Sequence, residues 1–133
     1  MIEQLINNYG NFHDAIVLNV EHKTNIDLTN NKFKTGIQEV ILVISCFNQF
    51  KDYEKNIIKI KFTEVEEFRY IKYDGMIIDS FKERENDSFI IDFDPIITSN
   101  KAGDLITKQN SESMLSIKFK DIFYEIIDRN ASS

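Results

Sequence analysis

The sequence predicts a mainly β domain, an antiparallel sandwich or half-open barrel of about seven strands that follows a short N-terminal helix. The first reason is a set of short runs in which apolar and polar residues alternate, as in NIIKIKFTEV at 56–65, because this period is typical of half-buried strands. The second is that the gaps between these runs have the length of hairpin connections. The third is that strand and helix patterns do not alternate, which argues against a doubly wound sheet.

The N-terminal residues have helical spacing, and the period then changes to that of a strand. The apolar residues of the helical pattern are Ile2, Leu5 and Ile6. Gly10 is a typical helix stop. After Ala15 the chain alternates, which predicts a strand with one apolar face. The residues predicted on that face are Ile16, Leu18 and Val20. We expect the helix to cover one end of the β domain.

The run IQEVILVISCFNQF at 37–50 is apolar on both faces and rich in β-branched residues. It therefore predicts a central strand that is covered on both sides. The last run, 114–127, is also predicted to be strand, with a short helix as the alternative for its second half. Alternate placement in these runs predicts a buried core that contains Val40, Leu42, Ile44, Ile58, Ile60, Phe89, Ile91, Ile117 and Phe119.

Turns and loops separate the predicted strands. The stretch around 30–31 is polar and turn-rich, and Asp74-Gly75 is a strong signal for a two-residue hairpin turn. Residues 82–87 are predicted to form a charged loop, and 98–113 are predicted to be the longest weakly structured stretch.

The length of the chain predicts one domain over 1–133, with 128–133 as a frayed tail. The single cysteine, Cys46, lies in an apolar run and is expected to be a small buried hydrophobe without a disulfide. The N-terminal residues have neither the basic nor the apolar region of a signal peptide, and no apolar run approaches the roughly 20 residues of a membrane helix. We therefore expect a cytoplasmic protein with no membrane segment.

The chain is acidic, with a formal net charge of -6. Nucleic-acid binding needs clustered Lys and Arg, with stacking aromatics for single strands, but the chain has three arginines and scattered lysines. Direct binding to nucleic acid is therefore not expected. Negative charge suits a basic protein partner, although solubility is the more common reason for it.

Two interpretations apply to His13 and Asp14, which precede the first strand. A catalytic histidine needs an orienting acceptor and a nucleophile or substrate within reach. Adjacent residues of an extended backbone point to opposite faces, which disfavours a catalytic pair. We therefore predict that Phe12, His13 and Asp14 form a structural junction, in which Phe12 is buried and at least one polar side chain bonds to nearby backbone.

The acidic residues Asp92 and Asp94 could bind a divalent cation together with other ligands, but the favoured interpretation is the solvated face of a strand. Glu64, Glu66 and Glu67 are likewise interpreted as a solvated turn rather than a binding patch. These five residues are nevertheless the candidates for contact with a basic protein partner.

Motifs for catalysis or cofactor binding are absent from the sequence. It contains no Gly-rich phosphate loop, no nucleophile elbow and no Cys/His spacing for a metal. No residue set supplies a nucleophile, a base and an oxyanion site together. We therefore expect no metal, no cofactor and no turnover.

The order of Phe12, His13, Asp14 and Ala15, a first strand, and the later segment KFTEVEEF at 61–68 resembles a class of small bacterial proteins. Several members are encoded beside polymorphic toxins and are grouped with toxin-immunity proteins. The resemblance covers the first half of the chain and, more loosely, the strand-rich remainder. It implies a non-enzymatic domain that neutralises a cognate toxin, and it assigns no catalytic residue.

Two hypotheses from different classes follow. The first is a non-enzymatic protein-binding domain, in its most concrete form an immunity protein against a basic bacterial toxin. The alternative is a small enzyme or ligand-binding β-barrel that uses His13 with Asp92 or Asp94. A deep polar cavity that joins His13 to either aspartate would favour the alternative, and a flat acidic surface would favour the first.

Overall fold

The computed structural model describes residues 2–27, 34–49, 51–71, 76–77 and 79–129. One helix, α1, spans Ile2–Tyr9. In the described part of the chain the strands are β1 Ala15–Asp27, β2 Lys34–Asn48, β3 Glu54–Thr63, β4 Glu67–Tyr70, β5 Met76–Ile77, β6 Phe81–Glu85, β7 Ser88–Asp92, β8 Ile96–Ser99, β9 Leu105–Lys108, β10 Leu115–Phe119 and β11 Asp121–Arg129.

The strands form two main sheets and one separate hairpin. The first sheet has five strands in the order β11-β3-β2-β1-β5, and the second has four in the order β4-β10-β7-β6. The hairpin consists of β8 and β9. The strand pairings described are antiparallel. The predicted fold class is confirmed, since the protein is mainly β with a short N-terminal helix and the sheets do not close into a barrel.

The core lies between the inner faces of the two main sheets. Burial alternates along β3 as the period-2 pattern predicted. Phe62 of the first sheet and Phe119 of the second meet with ring centroids 4.8 Å apart. The predicted core residues are buried, except that Phe89 is half-buried and stacks on Phe119. Each such side chain stabilises the fold by about 1.5–3 kcal/mol through removal from water, so this alternation is the main source of stability.

Strand β1 departs from its predicted alternation. Its pairing with β2 shifts between Val17 and Asn19, which makes Leu18 the extra residue of a β-bulge. The shift changes which residues face the core, so that Val17 packs on it before the bulge and Val20 after it. Ile16 and Leu18 are 37% and 52% exposed, and their assignment to the apolar inner face was therefore wrong.

Two stretches predicted as loops contain strands. Most of 82–87 belongs to β6, and only Asn86 and Asp87 remain as the turn to β7. Asn86 has φ of 57°, which asparagine adopts more readily than most residues. The stretch 98–113 includes the end of β8 and all of β9. The strands β6 and β9 were missed because they contain many polar residues and lack the apolar–polar alternation from which strands were predicted.

The C-terminal run is strand throughout, as predicted, but it is divided between the two sheets. β10 belongs to the second sheet and β11 to the first, and the chain crosses between them at Lys120, whose N–H donates to the Thr63 carbonyl oxygen at 3.3 Å. The predicted frayed tail begins too early, since β11 extends to Arg129 and its last residues pair with β3. Residues 130–133, the stretch around 30–31 and the Asp74-Gly75 turn lie outside the described residues.

Helix α1 packs against β2 and β11 and buries two side chains, Leu5 and Tyr9. Gly10 ends the helix with φ of 60°, as the sequence predicted. The N–H of Gln49, just after β2, donates to the Asn8 carbonyl oxygen at 2.8 Å. The helix C-terminus is therefore fixed beside the turn that follows β2. Among the described residues, no helix is long and apolar enough to cross a membrane.

Candidate functional site

The turn between α1 and β1 packs Phe12 into the core. Phe12 is buried, as the sequence predicted, and its ring centroid lies 5.6 Å from that of Phe93. The Ala15 N–H donates to the Phe12 carbonyl oxygen at 3.0 Å, and the Asp14 N–H donates to the Ile77 carbonyl oxygen in β5 at 2.8 Å. These contacts join the helix, the first strand and the second sheet at one point.

The backbone of this turn is unusual. Phe12 and Asp14 have φ of 58° and 62°, in the left-handed region. Aspartate visits that region because its short side chain can bond locally, but a bulky residue seldom does. Burial of the Phe12 ring offsets this conformational cost.

The same turn brings His13 and Asp14 together on the surface. His13 Nε2 lies 3.5 Å from Asp14 Oδ2, and the two side chains are 71% and 53% exposed. The prediction that the pair points to opposite faces was wrong, because Asp14 lies in a left-handed turn rather than an extended strand. The distance exceeds the roughly 2.6–3.2 Å of an oriented catalytic histidine. The contact is therefore a loose surface ion pair when His13 is protonated.

An open cavity of about 540 Å³ lies beside this pair. It is lined by Tyr9, Asn11, His13, Asp14, Phe47, Gln49 and Tyr53. No lysine or arginine is among these lining residues. Lys82 reaches the edge of the site and donates a hydrogen bond to Asn11 Oδ1. Burial lowers the pKa of Lys82, and the nearby Asp79 carboxylate opposes that change.

The rim of the cavity is completed by the turn between β2 and β3. The Glu54 N–H donates to the Lys51 carbonyl oxygen at 2.8 Å, and the two residues between them, Asp52 and Tyr53, have φ of 51° and 58°. Two left-handed residues in succession are typical of type I′ turns, which favour Asn, Asp and Gly. Tyr53 is 67% exposed at the rim. Its backbone has a positive φ, which tyrosine seldom adopts.

A network of buried amides holds Tyr9, one of the residues that line the cavity. The Tyr9 hydroxyl donates to Asn56 Oδ1 at 3.1 Å, and Asn48 Nδ2 donates to the same oxygen at 3.3 Å. Asn56 Nδ2 in turn donates to Glu54 Oε1 at 3.0 Å. Because Asn56 is fully buried, these bonds hold Tyr9 and the β2–β3 turn in one arrangement.

Asp92 is not on a solvated face, and the prediction that it could contact a partner is wrong. Its carboxylate is fully buried and accepts hydrogen bonds from Asn110 N at 2.7 Å, Ser113 Oγ at 2.6 Å and Asp94 N at 2.9 Å. Half-buried Asp94 accepts a bond from Met114 N at 3.1 Å. Both carboxylates therefore anchor the loop after β9 instead of presenting charge to solvent.

The predicted acidic turn is exposed at all three of its glutamates, Glu64, Glu66 and Glu67. Glu66 accepts a bond from Ser88 Oγ at 2.7 Å and lies 3.6 Å from Lys118 Nζ. The Ser88 bond is the largest cause of a lowered pKa at Glu66; desolvation opposes it, and the charges of Lys118 and Lys120 add smaller lowering effects. Lysine charges therefore partly compensate this surface, and it is not a flat acidic patch.

A second candidate surface is the outer face of the five-stranded sheet, which the sequence did not single out as exposed. Cross-strand pairing places Met76, Ile16, Ser45 and Ile57 in one row on this face, opposite the core. The large apolar residues that stay exposed at paired positions of the face are Ile16, Phe47, Met76 and Phe123, and those exposed at two of its bulges are Leu18 and Ile127. On the outer side of β2, Ile41 and Ser45 are buried but Phe47 is exposed, so the predicted cover on both sides of this strand is only partly present.

Charges of both signs separate these apolar residues. Lys61 Nζ lies 3.5 Å from Glu39 Oε1 across the β2–β3 pair. A shallow depression of about 260 Å³ lies beside Lys59, Phe123 and Glu125. Mixed charge around apolar side chains is the composition found at the rims of protein interfaces.

Other reactive groups are few in the described part of the chain. Cys46 is buried, as predicted, and burial raises the pKa of its thiol to about 12, so the thiolate nucleophile is suppressed. The described residues contain no group of three or more His, Cys, Asp and Glu side chains placed to hold a metal ion.

Sequence reasoning missed several residues of the cavity, namely Asn11, Phe47, Gln49 and Tyr53. One signal was available, because the polar break at 51–55 separates two strong strand patterns and marks a turn. No local pattern shows that this turn meets the end of α1, since the meeting depends on the tertiary fold. Comparison with known proteins adds no relative, as no family model, curated protein or solved structure matches the chain.

Proposed function

We propose that this protein acts by binding another protein and carries out no reaction of its own. The observation that supports the proposal is the outer face of the five-stranded sheet, where Met76, Ile16 and Phe47 lie exposed at one end. Apolar surface left in water costs about 25 cal/mol per Å², and contiguous patches of it commonly mark interaction sites. A partner that covers this face would remove that cost.

The partner that we propose is basic, and neutralisation of a bacterial toxin is the specific form of the function. The net charge of -6 favours a basic protein, because opposite charges speed encounter and exclude wrong partners. The resemblance carried by Phe12, His13, Asp14 and the segment at 61–68 supports the same reading. Toxins that act on nucleic acid are often basic, since phosphate requires positive charge. We place the activity in the cytoplasm, where a lone buried thiol such as Cys46 stays reduced.

The alternative, a small enzyme or ligand-binding barrel that uses His13 with Asp92 or Asp94, has less support. Neither aspartate lines the cavity beside His13, and three donors already engage the Asp92 carboxylate. His13 meets Asp14 instead, at a distance too long for an oriented pair. The lining residues include no serine, threonine or cysteine to act as a nucleophile.

The first test is co-expression with the product of the adjacent gene, followed by pull-down. We expect a complex whose association slows as ionic strength rises, because salt screens the attraction between the partners. A neighbouring protein that is harmless when expressed alone and does not bind would remove the toxin-immunity proposal.

A matched pair of variants tests the surface. Met76→Glu places a charge on the outer face, whereas Leu105→Glu places one on the separate β8–β9 hairpin, and both side chains are exposed. We expect Met76→Glu to weaken the complex about tenfold or more, which corresponds to roughly 1.4 kcal/mol, and Leu105→Glu to leave it unchanged. Equal effects of the two variants would show that the outer face is not the binding surface.

A further inference from the structure

The geometry points to the cavity beside His13 and Asp14 as a receptor for an arginine side chain of the protein partner. This inference rests on the proposed function and adds the chemistry of one contact. The groups that define the site are the Asp14 carboxylate, the rings of Phe47 and Tyr53, and the side-chain amides of Asn11 and Gln49.

These groups match a guanidinium ion better than other ligand chemistry. Guanidinium is planar, donates five N–H bonds, pairs with carboxylates and stacks on aromatic rings. Asp14 supplies the carboxylate, Phe47 and Tyr53 supply rings, and the Gln49 amide oxygen supplies a neutral acceptor. A phosphate or carboxylate ligand would meet the Asp14 charge with its own.

Lys82 and His13 lie near this site and bear on the inference. Lys82 bonds to Asn11 Oδ1, so it occupies that acceptor, while Asp79 lies close enough to Lys82 to offset part of its charge. His13 contacts Asp14 at 3.5 Å, a distance that leaves the pair loose and more than half exposed. An incoming guanidinium can therefore compete with the imidazole for the Asp14 carboxylate.

The position of the cavity connects it to the proposed binding surface. Phe47 lines the cavity and also belongs to the exposed outer face of the sheet. The Asp14 N–H donates to the carbonyl oxygen of Ile77, and the residue before Ile77 is Met76, which is exposed on that face. A partner that covers the face would therefore meet the cavity at its end, where a long basic side chain can enter. A volume of about 540 Å³ is ample for one side chain of this size.

The site is held ready by its backbone. Asp14 and Tyr53 both occupy left-handed conformations, and buried bonds through Asn56 hold Tyr9 and Glu54, the residue that follows Tyr53. A receptor whose groups are already ordered loses little conformational entropy when it binds. Fixed groups also make the contact selective, because a planar guanidinium must fit their existing positions.

The test is an amide chemical-shift titration of the whole protein with N-acetyl-arginine methylamide. The control ligand is N-acetyl-citrulline methylamide, which has nearly the same shape but no charge. We expect saturable shifts confined to residues 11–14 and 47–54, and about fivefold weaker binding of the citrulline compound, the size of one partly exposed ion pair. Equal binding of the two compounds, or shifts centred on the Glu66 surface, would overturn the inference.

A pair of variants distinguishes specific binding at Asp14 from attraction to the overall negative charge of the protein. Asp14→Asn removes the charge but keeps a residue that tolerates positive φ, and it should weaken arginine binding about fivefold. Asp87→Asn removes one charge from the exposed β6–β7 turn and should have no effect. An Asp14→Asn protein that binds as wild type does would refute the guanidinium site. Because no partner is needed, a failed titration leaves the outer-face proposal intact, and a failed pull-down beside a positive titration removes the proposed function alone.

Discussion

Replacement of Asp92 by alanine should detach the loop after β9 from the second sheet and lower the free energy of unfolding strongly. The variant removes an acceptor that binds Asn110 N, Ser113 Oγ and Asp94 N. The amide of half-buried Asp94 can regain a water, whereas the Asn110 amide and the fully buried Ser113 hydroxyl lose charge-assisted bonds. At about 1.5–3 kcal/mol for each of these two bonds, the expected loss is about 3–6 kcal/mol.

Urea unfolding at neutral pH measures this loss, with Asp87→Ala as the control because Asp87 is exposed in a turn. Asp92→Asn is the finer probe. Its amide has one acceptor oxygen, so either orientation sets an NH₂ group against a donor and forfeits at least one bond. Hydrogen exchange should also show lost protection at 105–115. If the midpoint for Asp92→Ala matches that for Asp87→Ala, the carboxylate does not hold the loop and the reasoning fails.

Three further predictions concern the core, the cavity rim and pH. Ile44→Ala should cost about 2–5 kcal/mol in urea unfolding because Ile44 is fully buried between the sheets, and a negligible shift would mean that it packs loosely. Tyr53→Asn should raise stability by about 0.5–1 kcal/mol, because asparagine relieves part of the left-handed strain, and a lower melting temperature would contradict this. The Ser88 bond lowers the pKa of Glu66 below its ordinary value of 4.5, so Glu66→Gln should be destabilising at neutral pH. The difference in stability between wild type and variant should vanish as pH falls through the folded-state pKa. A difference that persists in acid would exclude this cause.

The sequence predicted the central part of the fold well because burial there follows backbone period. From Val40 to Cys46 in β2 and from Ile58 to Phe62 in β3, each residue that faces the core is apolar, and pairing between the strands keeps one register from Val40 to Asn48. The pattern therefore transfers directly to the structure. The end of α1 at Gly10 was also predictable, since glycine is favoured where the chain turns left-handed after a helix.

The bulge in β1 shows where this reasoning stops. Leu18 is apolar and lies in an alternating run, yet it is the extra residue of the bulge and is exposed rather than packed in the core. A bulge depends on how two strands pair, so one strand read alone gives no sign of it. The exposed apolar face of the sheet was missed for the same reason.

The acidic residues show a second limit. Asp92 and Asp94, placed at i and i+2, look like the solvated side of a strand, and Glu64, Glu66 and Glu67 look like a solvated turn. Two donors from a distant loop, Asn110 N and Ser113 Oγ, make Asp92 a buried anchor, whereas Glu66 stays exposed beside lysines. Local sequence cannot distinguish these outcomes, because the donors come from other segments of the chain.

The backbone gives an independent reason to look for function beside α1. Six described residues other than glycine have positive φ, and four of them, Phe12, Asp14, Asp52 and Tyr53, lie in the two turns that flank the cavity. Strain of this kind persists where the surrounding structure or a bound group offsets it. For Phe12 the core provides that offset, since its ring is buried against Phe93. The ring of Tyr53 is mostly exposed, so burial within the described chain offsets little of its cost. A guanidinium stacked on Tyr53 would supply the missing contact, and the proposed arginine of the partner thus accounts for an aromatic residue where the turn itself would favour asparagine or glycine.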